Sequence, residues 1–267
     1  MLIAQISDPH IIADAQSEAA TRLQAAVGHL MRLPAAPAAV VVSGDCTDGG
    51  TAEEYRLFQD LIRPLPMPVY VLPGNHDRRE RMLSVFGAQG RSALPGFVQY
   101  VVDAGPLLLV ALDTHIPGSD EGELCDERLD WLEQRLAEAP GRPTLLFMHH
   151  PPVPCGMDVL DAMGLRHPER LGEVVARHPQ VEAVAAGHIH CTLTRRFHGT
   201  VAVTCASTMH QLMPDVSDRT RLRVLMEPPS CLLHSWDART GLVTRASAIG
   251  DHGPPRLLHD GDGWVTA

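Results

Sequence analysis

The sequence predicts an α/β fold. Three observations carry it: short apolar runs of strand length recur along the chain, stretches of helical period separate them, and strand-like runs alone follow residue 190. Strands alternating with helices form a largely parallel sheet, because consecutive parallel strands need a crossover between them.

Leu2–Ile6 is almost wholly apolar, as a strand buried on both faces reads. Thr21–Leu33 follows, with Leu23, Val27, Leu30 and Met31 at helical spacing. Ala39–Val42 is a second buried strand. Thr51–Ile62 is a helix opened by a capping box, Thr51 with Glu54 three residues on. Val69–Leu72, Leu107–Leu112, Thr144–Met148 and Val181–Ala185 read as further strands. Asp126–Ala137 offers Asp126 as N-cap and places Leu129, Leu132 and Leu136 on one face; Arg170–Arg177 reads as a shorter helix. Later come Leu193–Phe197, Val201–Cys205, Ser230–Ser235 and Leu242–Ser247, the first two flanking the turn pair His198-Gly199. Met209–Pro229 lacks a regular pattern and reads as a projection. A chain of 267 residues suits one large domain, 1–267, and no internal repeat divides it.

Composition excludes several function classes. All 22 basic residues are Arg, and the only Asn is Asn75. Both missing amino acids use A-rich codons, so a GC-rich genome explains the bias but not the surviving Asn. Without Lys there is no Schiff-base nucleophile and no P-loop. A net charge of -10 argues against a nucleic-acid partner. No apolar run approaches the ~20 residues of a membrane span. No basic segment precedes the first strand, so no signal peptide is expected. The 6 Cys are widely spaced without a CxxC pair, which suits a reducing cytoplasm.

Five clusters of metal-ligand type each follow a strand-like run: Asp8-Pro9-His10, Gly44-Asp45-Cys46-Thr47-Asp48, Gly74-Asn75-His76-Asp77, His149-His150 and Gly187-His188-Ile189-His190. Ligands in open α/β sheets bind at the carboxyl ends of strands, so these clusters can converge. Any one of them alone is ordinarily a satisfied structural histidine or a solvated turn; all five, in this order, are not. Carboxylate, amide and imidazole without thiolate suit Mn²⁺, Fe, Zn²⁺ or Co²⁺. Seven candidate ligands are too many for one catalytic ion and suit two, with a carboxylate such as Asp45 bridging them for in-line attack at phosphorus.

Asp8-x-His10, Gly44-Asp45-x-x-Asp48, Gly74-Asn75-His76-Asp77, His149 and Gly187-His188-x-His190 resemble the calcineurin-like metallophosphoesterase signature, over roughly residues 1–190. The resemblance implies a four-layer α/β/β/α sandwich with a two-metal site at its edge and a small projecting β-rich cap at about 208–229, which in relatives covers the site or carries a dimer contact. It implies that Asp8, His10, Asp45 and His190 hold one metal, and that Asp45, Asn75, His149 and His188 hold the other. It makes His76 the residue that stabilises phosphoryl charge and helps protonate the leaving group, and Asp48 the residue that orients His76 through a carboxylate–histidine hydrogen bond. A hydroxide bridging two Mn²⁺ or Fe ions (Zn²⁺ or Co²⁺ being alternatives) would attack a small phosphodiester. No separate organic cofactor is expected, and a homodimer or higher homo-oligomer is.

Gly49 and Asp77 stand where protein Ser/Thr phosphatases carry Arg and Glu, so that branch is disfavoured. The chain is more similar to the bacterial class III cyclic nucleotide phosphodiesterases and the related glycerophosphodiesterases. Leu112-Asp113-Thr114, Gly122-Glu123-Leu124 and Met148-His149-His150-Pro151-Pro152 support the pair, and Ser207-Thr208-Met209-His210-Gln211 and Ser230-Cys231-Leu232-Leu233-His234 the glycerophosphodiesterases. The loop after His10, Ile11 to Ala20, lacks those relatives' tyrosine-bearing insertion. A phosphomonoesterase or nucleotidase on the same site is the alternative activity, and a non-catalytic scaffold the non-enzymatic one; scaffolds lose part of the ligand set, which here is complete. His150 reads as packing rather than a ligand, Cys46 and Cys191 as small buried thiols, and His115 as a solvated loop residue that could line the pocket. Arg78 and Arg79 read as phosphate contacts or a solvated first turn, and His210 as a substrate or dimer contact.

Overall fold

The structure is a computed structural model and describes residues 1–265 apart from 214, 216, 254, 255 and 260. In chain order the first half-sandwich runs β1 (Leu2–Ile6), α1 (Glu18–Met31), β2 (Ala39–Ser43), α2 (Ala52–Ile62), β3 (Val69–Leu72) and α3 (Arg79–Phe86). The second runs β4 (Tyr100–Ala104), β5 (Leu107–Ala111), α4 (Asp126–Ala137), β6 (Thr144–Phe147), α5 (Asp158–Asp161), α6 (Pro168–Arg177), β7 (Val181–Ala186), β8 (Thr194–Phe197) and β9 (Thr200–Thr204). Then follow β10 (Gln211–Leu212), β11 (Val224–Leu225), β12 (Ser230–Asp237) and β13 (Gly241–Ala248).

Two sheets result. A five-stranded sheet has the order β13-β12-β1-β2-β3, and a six-stranded sheet β4-β5-β6-β7-β9-β8. β1, β2 and β3 are parallel, as are β5, β6, β7 and β9. The outer strands run antiparallel: β12 returns beside β1, with Ile3 opposite His234.

Strand parity divides the core. In the six-stranded sheet Leu109, Ala111, Leu145, Phe147, Ala183 and Ala185 join the core shared with the five-stranded sheet, and that core continues to Leu23 of α1 and Phe58 of α2. Their neighbours Leu108, Val110, Leu146, Val184 and Ala186 point the other way, onto Leu132 of α4 and Val174 of α6. Successive strand residues face opposite sides, and here both sides are covered. The layers are therefore α/β/β/α, and the unbroken apolar strands are explained by burial on two faces.

Local signals held at most element ends. Thr51 and Glu54 form the capping box, with Thr51 N–H donating to Glu54 at 2.8 Å. His198 and Gly199 take the positive φ values, 41° and 93°, that turn β8 into β9. Two helix starts differ. Ser17 caps α1, accepting from the Ala20 N–H, so the helix begins before Thr21. Cys125 rather than Asp126 occupies the N-cap of α4 and makes no side-chain cap bond; Asp126 lies in the first turn, where its charge meets the helix dipole instead. Pattern reading misses α3, which buries only Met82 and so has no apolar stripe, and β4, whose three buried residues are contiguous rather than alternating. Within 208–229, β10 and β11 pair antiparallel as a small hairpin, Gln211 opposite Leu225, while residues 214 and 216 of that stretch lie outside the described residues.

A polar seam crosses the inter-sheet core. Gln5 donates to Ser43 Oγ at 2.8 Å and to the Ala186 carbonyl at 3.1 Å, and its Oε1 meets His234 Nε2 at 3.1 Å. The bond to Ala186 ties the end of β7 to β1. Phe147 packs beside it, its ring 5.7 Å from that of His234. Phe147→Ala should cost about 3–5 kcal/mol, as truncation of a fully buried aromatic does. A urea unfolding midpoint would show the loss, and an unchanged midpoint would contradict the inter-sheet core as the seat of stability.

Candidate metal centre

Each cluster lies just past the carboxyl end of a strand. Asp8 and His10 follow β1, Asp45 and Asp48 follow β2, and Asn75 and His76 follow β3. His149 follows β6, and His188 and His190 follow β7. The two sheets thus contribute opposite sides of one site. Asp8, His10, Asp45, His188 and His190 all adopt left-handed φ, between 46° and 71°. For residues with a Cβ such a conformation costs on the order of 1–3 kcal/mol and persists only where the surroundings impose it. Close approach imposes it here. A Cβ on Gly44 would lie 2.2 Å from His149 Nδ1, and one on Gly187 would lie 2.1 Å from Ser7 Oγ and 2.8 Å from Asp8 Oδ2.

The donor atoms converge in two groups. Asp8, His10, Asp45 and His190 present ligand atoms all within 4.8 Å of one another. Asp8 Oδ1 lies 3.4 Å from His190 Nε2, and the Nε2 atoms of His10 and His190 face each other at 3.2 Å. In the second group the Asn75 carbonyl oxygen lies 3.1 Å from both His149 Nε2 and His188 Nδ1. Asp45 Oδ2 stands between the groups, 3.6 Å from His10 Nε2 and 3.4 Å from His149 Nε2. All seven predicted ligands are therefore brought together.

The far side of three of the four imidazoles is held, while His188 turns Nδ1 to the centre and its Nε2 has no partner among the described residues. His149 Nδ1 meets the Ser43 carbonyl at 2.8 Å, His190 Nδ1 the His210 carbonyl at 3.0 Å, and His10 Nδ1 the Asp48 carboxylate at 3.1 Å. Donation from Nδ1 leaves the Nε2 lone pair directed at the centre, which is how ligating histidines are oriented. The backbone N–H of His188 donates to both oxygens of Asp8, at 3.1 and 3.2 Å, and that of His76 to Asp45 at 2.9 Å.

Charge follows the same plan. Burial opposes ionisation of Asp8 and Asp45, but the adjacent His190 and His149 respectively override it and hold both carboxyls below their usual range. Burial likewise disfavours a charged His149, yet Asp45 raises it to about 9. His188 is pushed down to about 3 by burial and by His149. Two buried carboxylates, an amide oxygen and four imidazoles fit two cations of intermediate hardness. Neighbouring thiols do not compete: burial drives Cys46 well above its ordinary value and Cys191 to about 11.

Around this centre several expectations are corrected. His76 is half-exposed at the mouth, and its Nδ1 meets the backbone carbonyl of Asp48 at 2.8 Å. The Asp48 carboxylate lies farther away, 3.5 Å, because its short bond goes to His10; the expected carboxylate–histidine pair is thus mainly Asp48–His10. Arg79 is no solvated residue but forms a fork on buried Asp113 at 2.6 and 3.0 Å. His115 is buried, not a solvated loop residue, and among the described residues neither ring nitrogen has a hydrogen-bond partner. His150 bonds Thr114 Oγ1 through Nδ1 at 2.8 Å, while it also presents a ligand atom within 4.8 Å of those of His149 and His188 and its Nε2 has no partner among the described residues. His210 borders the site, its ring 4.5 Å from that of His190, and with His10, Ile12, Asp14, Asp48 and Met209 it lines a cavity of about 440 Å³.

Sequence reasoning missed a further set. Asp77, fully buried, accepts from Tyr55 O–H at 2.9 Å, Gly74 N–H at 3.0 Å and Cys46 N–H at 3.1 Å, which ties the loop after β3 to the loop after β2. Ser207 Oγ donates to the Asp8 carbonyl at 2.7 Å. Asp77 lies inside a visible motif, but Tyr55 sits on an apolar helix face and nothing in its spacing announces a partner.

Metal affinity should rise with pH up to about 9. His149 keeps its proton to about that value while no cation is bound, so at lower pH the cation of the Asn75 group must displace it. Calorimetry of Mn²⁺ binding in buffers of different ionisation enthalpy would detect the released proton; pH-independent binding without release would contradict this. Gly187→Ala should weaken binding of the ion at Asp8 by an order of magnitude or more, since its methyl group would displace that carboxylate, a loss of the size seen when ligand support is disturbed. Equilibrium dialysis would measure it.

Comparison with known proteins agrees with this geometry. Residues 1–192 match the calcineurin-like phosphoesterase family. A protein of Arcobacter nitrofigilis named as a probable glycerophosphodiester phosphodiesterase is 35% identical, covering 98% of this chain and 98% of its own. The 3',5'-cyclic adenosine monophosphate phosphodiesterase of Pseudomonas aeruginosa is 32% identical over 82% of this chain and 80% of its own. Among solved structures a dimetal phosphatase from Danio rerio shares the fold, with a TM-score of 0.69 at 17% identity over 94% of this chain and 99% of that one. The convergent donor groups and these likenesses together show that the chain belongs to the calcineurin-like phosphoesterase family.

Proposed function

We propose that this protein is a metal-dependent phosphodiesterase that hydrolyses small phosphodiesters, cyclic nucleotides or glycerophosphodiesters. The observation that carries the reading is Asp45, whose one oxygen stands 3.6 Å from His10 and 3.4 Å from His149 and so belongs to two donor groups at once. Asp8, His10, Asp45 and His190 would hold one ion, and Asp45, Asn75, His149 and His188 the other. When bound, two such ions supply Lewis acidity to the phosphoryl oxygens and raise the acidity of the attacking water.

The chain's own residues do the rest. Asp8 and Asp45 are kept ionised and so present full charge to the cations. Asn75 contributes an oxygen without a third carboxylate's repulsion. His76 stands at the open mouth with Nδ1 on the Asp48 carbonyl at 2.8 Å, so Nε2 is directed outward. With Nδ1–H engaged, Nε2 would give a proton to the departing alkoxide and regain one from water, and the Asp48 carboxylate lies 3.5 Å from the same ring. The cavity beside His10 offers the leaving alcohol a partly apolar wall in Ile12 and Met209.

We further infer Mn²⁺ or Fe as the native metals, with Zn²⁺ or Co²⁺ as substitutes, because the donor set has nitrogen and oxygen and no thiolate. The six free cysteines support a cytoplasmic setting. No helix among the described residues is long and apolar enough to cross a membrane. We take the chain to act as one domain, with the hairpin β10–β11 as its cap. Val224 and Met226, 58% and 48% exposed there, support a contact with a second copy.

Purified protein with Mn²⁺ should turn over bis(p-nitrophenyl) phosphate faster than p-nitrophenyl phosphate. Asn75→Ala should reduce the rate about 10–100-fold and His76→Ala about 100-fold or more. Preference for the monoester would replace the reading with a phosphomonoesterase. No turnover of either, or indifference to Asn75→Ala, would reject it. A panel of 3',5'- and 2',3'-cyclic nucleotides and glycerophosphodiesters then assigns the substrate.

A further inference from the structure

The two halves of the centre are built on different sheets. Asp8, Asp45 and Asn75 follow strands of the five-stranded sheet, and His149, His188 and His190 follow strands of the six-stranded sheet. The donor set is complete only when the two sheets keep a fixed offset at this edge. Besides the ligand contacts, a charged fork spans them from the segment that follows Asn75. Arg79 opens α3, on the five-stranded side, and its guanidinium reaches the segment following β5. Nε donates to Asp113 Oδ2 at 2.6 Å, and Nη2 donates to Asp113 Oδ1 at 3.0 Å and to the His115 carbonyl at 2.6 Å.

The surroundings leave this link little freedom. The Arg79 side chain is 11% exposed and the Asp113 side chain 0%. Asp113 also accepts the N–H groups of Val98 at 2.9 Å and His115 at 3.0 Å. Phe97 lies against the guanidinium of Arg79 at 4.9 Å and that of Arg128 at 5.0 Å, and Arg128 donates to the Asp113 carbonyl at 2.8 Å. A buried ion pair is a poor source of net stability, since desolvation consumes most of the attraction. A two-pronged Arg–carboxylate fork does define distance and orientation together, which a Lys cannot. Nε and Nη2 are both engaged by protein, so that edge of the Arg79 guanidinium is not open to a phosphate.

We infer that Arg79 and Asp113 are a positioning pair: their fork sets the Asn75 amide and His76 against His149 and His188, so that the donor group around Asn75 assembles only when the fork is closed. The inference rests on the two-ion reading of the site. The Asp8–His190 group lies on the other side of Asp45 and has its own ties, the His188 N–H on the Asp8 carboxylate and the Ser207 hydroxyl on the Asp8 carbonyl.

The test is Arg79→Lys, which keeps the charge and loses the fork, with Asp113→Asn as an isosteric second variant. Mn²⁺ binding is followed by equilibrium dialysis, and the step that Asn75→Ala abolishes identifies the Asn75 ion. The expected result for either variant is about a tenfold or greater loss of affinity in that step, the size of effect seen when outer partners of ligands are removed, with the other step within about twofold of the parent. For bis(p-nitrophenyl) phosphate kcat should fall more than KM changes, and the metal-free unfolding temperature of Arg79→Lys, which keeps the charge, should stay within a few degrees. Equal loss of both binding steps, or parent-like binding of both, would overturn the positioning pair. A parent protein that binds fewer than two ions would instead reject the two-ion reading, so the two failures are told apart.

Discussion

Two fully buried carboxylates sit side by side at the edge of this fold, and most of what surrounds them answers that fact. Asp8 and Asp45 are respectively 0% and 2% exposed. Unpaired charges at such depth are prohibitively expensive, and two of like sign repel. The structure offsets this with imidazoles from the opposite sheet and with backbone N–H groups. Both carboxyls stay ionised as a result, and the pair becomes a place where cations are favoured.

Backbone strain is the second consequence. Presenting Asp8, His10, Asp45, His188 and His190 to one point requires five residues with side chains to adopt left-handed φ. Each is retained because its neighbours leave no alternative: the absence of a Cβ at Gly44 and Gly187 lets strand ends approach, and Ser207 and Asp77 hold the loops from behind. The packed sheets supply the stability that these loops consume. Two mixed sheets, parallel at their centres and covered by helices, make a rigid platform, and the polar seam through Gln5, Ser43 and Ala186 ties the sheets together just below the site.

Much of this was legible in the chain. The α/β class followed from apolar runs separated by helical period, while the α/β/β/α layering and the assignment of the seven ligands were implied by the family resemblance that the motifs after those runs carry. Such features are local: a strand buried on both faces reads as apolar throughout, and a tight turn at its end needs glycine beside the ligand. Elements without a local signature were lost. α3 buries one residue along its length, and β4 buries a contiguous triplet, so neither shows a period. The partner of Asp48 was only partly legible: its carbonyl meets His76 at 2.8 Å, but its carboxylate lies nearer His10, at 3.1 against 3.5 Å, and only geometry says which imidazole it reaches.

By itself the sequence determined which chemistry is present, where along each strand it sits, and that lysine-based catalysis is absent. The lone Asn75, unexplained by codon bias, was already marked as a ligand by its motif. Tertiary structure alone decided the pairings. Tyr55 became the donor to Asp77 where α2 packs over the loop after β3, and Arg79 the partner of Asp113 where α3 meets the segment after β5 of the other sheet. Those contacts join residues far apart in the chain, and distance along a sequence carries no measure of distance across a sheet interface.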